Sequence, residues 1–235
     1  MSTCDYKETF EYFRRLKPNI MQGSVLDYGS NYGTFLHSSR GQFPEENYTG
    51  IDVDIEALDK GLNRFPKAKF IWYNGYNPVY NPDGNVESID FEQQYDTIIS
   101  YSVFTHTSQE DMCNKIGWLY THLKPGGTIL ATWLDVDSKV STDFFYKKRI
   151  KDYGSCDLIE TSDYTYLSDN RCSKTIEPNI KFLLAFYKKE YLLNLLKDYQ
   201  PLLANASPDI PSCFQSSMII RKPWNVSFEP EQTLH

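Results

Sequence analysis

The stretch "VLDYGSNYGTFLH" carries Asp27, Gly29 and Gly33, the first residues in the chain whose types and spacing bear on chemistry. An acid and a glycine turn, preceded by an apolar run and followed by a helical pattern, aim backbone amides at a ligand beyond the open end of a sheet. The missing Cβ atoms at Gly29 and Gly33 clear the path such a ligand would take. Two glycines alone fit a plain strand-to-helix turn equally well. A second acid, Asp52 in "GIDVD", follows Asp27 by 25 positions, where a carboxylate can accept from the two hydroxyls of a ribose. The pair therefore reads as a nucleoside site. The D-x-G-x-x-x-G spacing is not GxGxxG, and without GK[ST] it is not a phosphate-binding P-loop.

Two other residues have side chains suited to moving a proton. His106 in "SVFTH" can take one near neutral pH, and Asp135 in "TWLD" is a carboxylate at a strand end. Each has a competing reading: His106 as a helix cap or a support for the bound nucleoside, Asp135 as a loop carboxylate. His37 and His122 read as packing residues.

The elements that must position these residues alternate. Tyr6, Phe10, Phe13 and Leu16 repeat at helical spacing over residues 5–17, and Pro18 closes that segment. Strand patterns then occur at 24–29, 47–53, 68–74, 95–102 and 128–135, and helical patterns at 34–43, 54–65 and 108–123. Residues 75–94, rich in Asn, Pro and Gly, read as a loop. The strands are continuous apolar runs, as expected for parallel strands covered on both faces. Residues 138–180 are polar and aromatic without a period. An amphipathic helix at 185–199 and two closing strands, "PLLANAS" and "SCFQSSMIIRK", follow.

In that order and spacing, "VLDYGSNYGTF", "YTGIDVDIEAL" and the run from "YDTIISYS" through "LKPGG" to "TILATW" resemble the motifs of the class I S-adenosylmethionine-dependent methyltransferases. The resemblance covers about residues 20–135 and, faintly, the closing helix and strands. It implies a Rossmann-like, doubly wound, mostly parallel seven-stranded α/β sheet with helices on both faces and an antiparallel last strand. It implies S-adenosyl-L-methionine as cofactor. Asp27 and Gly29 would sit beside its methionine half, with Ser30, Asn31 and Gly33 completing the loop. Asp52, with Val53 beside it, would bind the ribose. Asn74 and Gly75 would lie near the adenine, and Tyr101, Ser102 and His106 would border the sulfonium. Two positions depart from the family pattern: Asn31 replaces the middle glycine of the first motif, and Asn74 stands where Asp is usual. Asn tolerates left-handed backbone better than most residues.

The chain has 235 residues and a net charge of −7, so it reads as one domain over 1–235 that repels phosphate backbones. Within it, residues 1–20 are expected as a helix covering the site and 138–180 as an insertion, a lid over the acceptor built from Phe144, Phe145, Tyr146, Tyr153, Tyr164 and Tyr166. The five scattered cysteines fit reduced thiols in a cytoplasm, and no apolar run has the length of a membrane span. No metal is expected: Asp135 and Asp137 lack a matching Asp-Asn pair. The partner is a small-molecule acceptor, with neither nucleic acid nor membrane, and the oligomeric state stays open, a homodimer included. O-methylation of a sugar or natural-product intermediate is favoured over N-methylation. The alternatives are a binding protein of this fold without catalysis, or a different reaction of the same cofactor.

Overall fold

Apolar runs bounded by turn residues set the architecture. In the computed structural model, residues 8–77, 80–139, 156–169, 182–204 and 215–224 are described. Five strands lead the sheet, β1 (Val25–Tyr28), β2 (Tyr48–Asp52), β3 (Lys69–Trp72), β4 (Tyr95–Ser100) and β5 (Leu123–Asp135), with helices between them except between β3 and β4, where the described residues form a loop. They lie in the order β3-β2-β1-β4-β5, all parallel. The order reverses between β1 and β4, the switch point at which the loops after those strands part and leave room for a ligand.

Helix α1 (Thr9–Leu16) and helix α2 (Thr34–Ser39) cover one face of the sheet, where Phe10, Phe13, Phe35 and Tyr48 are buried together. Helix α4 (Gln109–Thr121) and helix α5 (Lys189–Leu195) cover the other, burying Met112, Ile116, Leu192 and Trp133. Helix α3 (Ile55–Arg64) runs along β2 and β3. Asp54 caps α3, its Oδ1 accepting from Ala57 N at 3.0 Å, and Ser108 caps α4 by accepting from Asp111 N at 3.2 Å. Such caps are each worth about 1 kcal/mol. Helix α2 stops well short of the expected Phe43, because Arg40 and Gly41 both turn left-handed at φ 51° and 80°.

The two closing strands are β9 (Leu202–Ala204) and β10 (Ser216–Arg221). Strand β10 runs antiparallel to both β5 and β9. This completes the expected seven-stranded sheet with its antiparallel last strand.

Three strands were not expected. A hairpin of β6 (Cys156–Glu160) and β7 (Tyr164–Asp169) pairs through β7 with β8 (Phe182–Tyr187), and β8 continues in parallel from the last two residues of β5. The insertion is thus partly sheet. The helix expected over 185–199 is confined to α5, with a 3-10 turn at Lys197–Tyr199. Ala185–Tyr187 go into β8 because "FLLAFY" is apolar on both sides and Leu184–Tyr187 are buried on both, a run that periodicity alone cannot assign.

Candidate active site

The ends of β1, β2 and β4 meet around the glycine turn. Gly29 and Ser30 donate their backbone N–H groups to Ile51 O at 2.9 and 3.1 Å, tying the turn to β2. Gly29, Asn31 and Gly33 all have positive φ, at 79°, 52° and 78°. Asn31 therefore adopts the left-handed conformation that its place in the motif requires. Its Oδ1 accepts from Tyr32 N at 2.8 Å, a local bond that helps asparagine hold such a turn.

The space the glycines vacate is filled by protein. A Cβ on Gly29 would overlap Val103 Cγ2, and one on Gly33 would lie 3.1 Å from Phe70 Cζ. Close packing against Val103 and Phe70, together with the positive φ, favours glycine at these two positions.

Asp52 faces this turn. Its Oδ2 accepts from Asn31 N at 2.6 Å and its Oδ1 from Asp54 N at 3.0 Å. Each carboxylate oxygen keeps a second lone pair, so both can still accept from a diol. Burial raises the Asp52 pKa, while the amides of Asp54, Asn31 and Val53 oppose the rise. Trp72 Nε1 donates to Val53 O at 3.2 Å and holds the chain just beyond Asp52.

Asp27 lies beneath the turn, 4% exposed, with Tyr48 OH donating to its Oδ2 at 2.7 Å. Burial lifts its pKa to about 7; the Tyr48 hydroxyl opposes the rise and the nearby Asp52 charge adds to it. The contact follows from register: Asp27 pairs with Gly50, which has no side chain, so Tyr48 on the same face of β2 reaches across. Tyr48 was not singled out in the sequence, although strand pairing would have pointed to it.

Asn74 is turned into its own loop. Its Oδ1 accepts from Asn81 Nδ2 at 3.0 Å, and its Nδ2 donates to Asn85 Oδ1 at 3.2 Å. Its backbone O accepts from Asn85 N and Val86 N, both at 3.0 Å, and Gly75 O accepts from Asn81 Nδ2. These bonds hold Asn81, Asn85 and Val86 against the end of β3.

At the end of β4, Tyr101 packs edge-on against Tyr12 and Phe13 of α1, with ring centroids 5.8 and 6.2 Å apart. Ser102 is left-handed at φ 61°, which costs a non-glycine residue about 1–2 kcal/mol. A 3-10 turn at Phe104–His106 follows, with His106 N donating to Val103 O at 2.9 Å. Asp135 closes β5, 3% exposed, its Oδ1 accepting from Asp137 N at 2.9 Å. Burial raises its pKa, and the Asp137 amide opposes this. His37 and His122 pack as expected, His37 against Tyr32 and His122 stacked on Phe91 at 4.1 Å.

The insertion reaches the same end of the sheet. Gln109 N donates to Tyr166 OH at 2.8 Å, and Tyr187 OH donates to Thr107 O at 3.1 Å. Tyr191 OH donates to Gln109 Oε1. The backbone just past His106 is thus held by tyrosines from β7 and β8, and the Gln109 side chain by one from α5. Of the aromatic residues expected to form a lid, Tyr164 and Tyr166 are in β7; Phe144, Phe145, Tyr146 and Tyr153 lie outside the described residues, as does Tyr6.

Residues 5–174 match the protein family described as "Methyltransferase domain". The chain belongs to that family. Solved methyltransferases share its fold along nearly the whole chain. The glycopeptide N-methyltransferase MtfA, crystallised with S-adenosyl-L-homocysteine, is 12% identical, with 93% of this chain and 90% of that one covered and a TM-score of 0.60. CalS10 from Micromonospora echinaspora is a SAM-bound amino pentose methyltransferase of calicheamicin biosynthesis. It is 13% identical over 92% of this chain and 89% of that one, TM-score 0.55. The 1,6-didemethyltoxoflavin-N1-methyltransferase of Burkholderia thailandensis is 14% identical over 94% of this chain and 80% of that one, TM-score 0.57. At these identities the likeness is one of fold. Within this methyltransferase-domain fold, Gly29–Gly33, Asp52 and the Tyr101–His106 segment come together at the switch point. Among the described residues, no helix is long and apolar enough to cross a membrane.

Proposed function

We propose that the protein is an S-adenosyl-L-methionine-dependent methyltransferase acting on a small molecule, with an oxygen nucleophile favoured and nitrogen second. The observation that carries this is the bond from Asn31 N to Asp52 Oδ2: it joins the glycine turn to the acid at the end of β2 and leaves that acid able to accept two hydroxyls. Family membership supports the reaction class, and the cofactors named for MtfA and CalS10 support the choice of cofactor.

The donor set suits this cofactor. Asp27, Gly29, Ser30, Asn31 and Gly33 would hold its methionine half, Asp52 and Val53 its ribose, and Asn74 and Gly75 the region of its adenine. Tyr101, Ser102 and His106 would border its cationic centre. When bound, the cofactor supplies an electrophilic methyl group on a sulfonium.

The chain's own contribution is to align the acceptor and keep water out. Helix α1 covers one side through Tyr12 and Phe13, and Tyr164 and Tyr166 of β7 would cover the acceptor from the other. A hydroxyl acceptor must also lose a proton, which His106 takes, with Asp135 as the second candidate; burial, by raising its pKa, makes Asp135 a stronger base than an exposed carboxylate. No metal enters this reading. The protein works in the cytoplasm, consistent with the free, half-buried thiol of Cys113.

The test is calorimetric titration with S-adenosylmethionine and, separately, S-adenosylhomocysteine, followed by a screen of sugar hydroxyls and amines. Micromolar binding of both and a methylated product are expected. Absence of binding by either would bring forward a non-catalytic descendant of the fold. A product mass gain other than one methyl would point to another reaction of the same cofactor.

A further inference from the structure

Ser102 is the hinge between the glycine turn and the His106 turn. Its neighbour Val103 fills the space beside Gly29, and Val103 O accepts from His106 N at 2.9 Å. Any shift at Ser102 therefore moves both. Yet Ser102 is held in left-handed backbone, φ 61°, which serine adopts only under constraint.

Two side chains from elsewhere in the fold supply that constraint. Thr132 in β5, fully buried, accepts from Ser102 N through its Oγ1 at 2.7 Å. Gln215, 113 positions along the chain and 3% exposed, donates from Nε2 to Ser102 Oγ at 2.9 Å. Ser102 Oγ also lies 3.3 Å from Thr105 Oγ1, within the same turn. The backbone is gripped through its amide from β5 and the side chain through its oxygen from the residue just before β10, the strand that pairs with β5.

We propose that Gln215 and Thr132 are positioning residues for the active site. Together they hold Ser102 in its left-handed form and so set the Val103–Gly29 contact and the placement of His106. The proposal rests on the reading of this end of the sheet as the cofactor site. Gln215 lies outside the motif stretches, Thr132 lies within "TILATW", and neither is assigned contact with the cofactor or the reacting groups.

The test uses the full chain with Gln215→Leu and, separately, Thr132→Val, which keeps the shape of the side chain and removes the acceptor. Amide hydrogen exchange is read without any cofactor, and binding of S-adenosylhomocysteine is read by calorimetry. The amides of Ser102 and His106 are expected to exchange at least tenfold faster in both variants, while those of β1 and β2 are unchanged. Affinity for S-adenosylhomocysteine is expected to fall at least fivefold, and the double variant to lose less than the sum of the two. Unchanged exchange at Ser102 and His106 in Thr132→Val would overturn the proposal even if Gln215→Leu fails to fold. Faster exchange with intact affinity would overturn it too, by reducing the clamp to a stabilising device. If the wild-type chain binds neither S-adenosylmethionine nor S-adenosylhomocysteine, the cofactor reading fails on its own and the positioning role falls with it, while the exchange data still report whether the clamp exists.

Discussion

Asn31 N donates to Asp52 Oδ2 across 2.6 Å, so the residue that replaces a motif glycine is anchored by the acid at the end of the neighbouring strand. A substitution at Asp52 therefore removes a loop anchor and, on the proposed reading, a ribose contact together. Asp52→Ala should weaken S-adenosylmethionine binding by about 1–3 kcal/mol. Calorimetry reads this, and unchanged affinity would take Asp52 away from the ribose. Asn31→Gly keeps the anchoring amide and the left-handed backbone, so its stability should stay within about 1 kcal/mol of wild type.

Gly29 is pressed against Val103, which separates backbone strain from steric overlap. Gly29→Ala should destabilise the chain by more than about 2 kcal/mol, combining left-handed strain with overpacking. Adding Val103→Ala should recover the overlap part and leave the strain part. Denaturant unfolding of the single and double variants measures the coupling. Equal loss in both would mean that Val103 gives way freely.

The buried Asp27 makes stability pH-dependent. Its folded pKa is about 7, above the value near 3.9 of an unfolded aspartate. Between those values the folded chain holds the proton more tightly, so stability falls as pH rises from about 4 to about 7, by at most about 4 kcal/mol. Asp27→Asn should flatten that slope. Urea unfolding at pH 5 and pH 7.5 for both proteins is the measurement; parallel slopes would remove Asp27 as the cause.

His106 and Asp135 differ in what their loss should do. If His106 takes the acceptor proton, His106→Ala should lower turnover by about a hundredfold or more with S-adenosylhomocysteine affinity intact, and remove the acidic limb of the rate profile. Loss of affinity with turnover preserved would make His106 a support for the cofactor. The same pair of readouts on Asp135→Asn decides the second candidate.

How far the sequence could be read depended on whether the signal was local. The alternation of strand and helix through Asp135 was legible because each element carries its own apolar run, cap or glycine stop. Asn31's left-handed backbone was legible for the same reason, since the preference belongs to the residue itself. The insertion was opaque: "FLLAFY" has no helical or strand period, and only pairing with Tyr164–Asp169 makes it β8. Asn74 kept its place at the end of β3, but the partners of its amide, Asn81 and Asn85, are set by a loop with no regular pattern.

By itself, then, the sequence determined the family, the succession of strands and helices along the chain and the acids and glycines at the strand ends, because motif spacing and short-range propensity encode those directly. The tertiary structure alone decided which distant side chains meet there. Tyr48 reaches Asp27 through strand register, Val103 fills the space beside Gly29, and Gln215 holds Ser102 from 113 positions away. Such contacts arise from the closing of the sheet and the packing of its ends, and no local run of residues contains them.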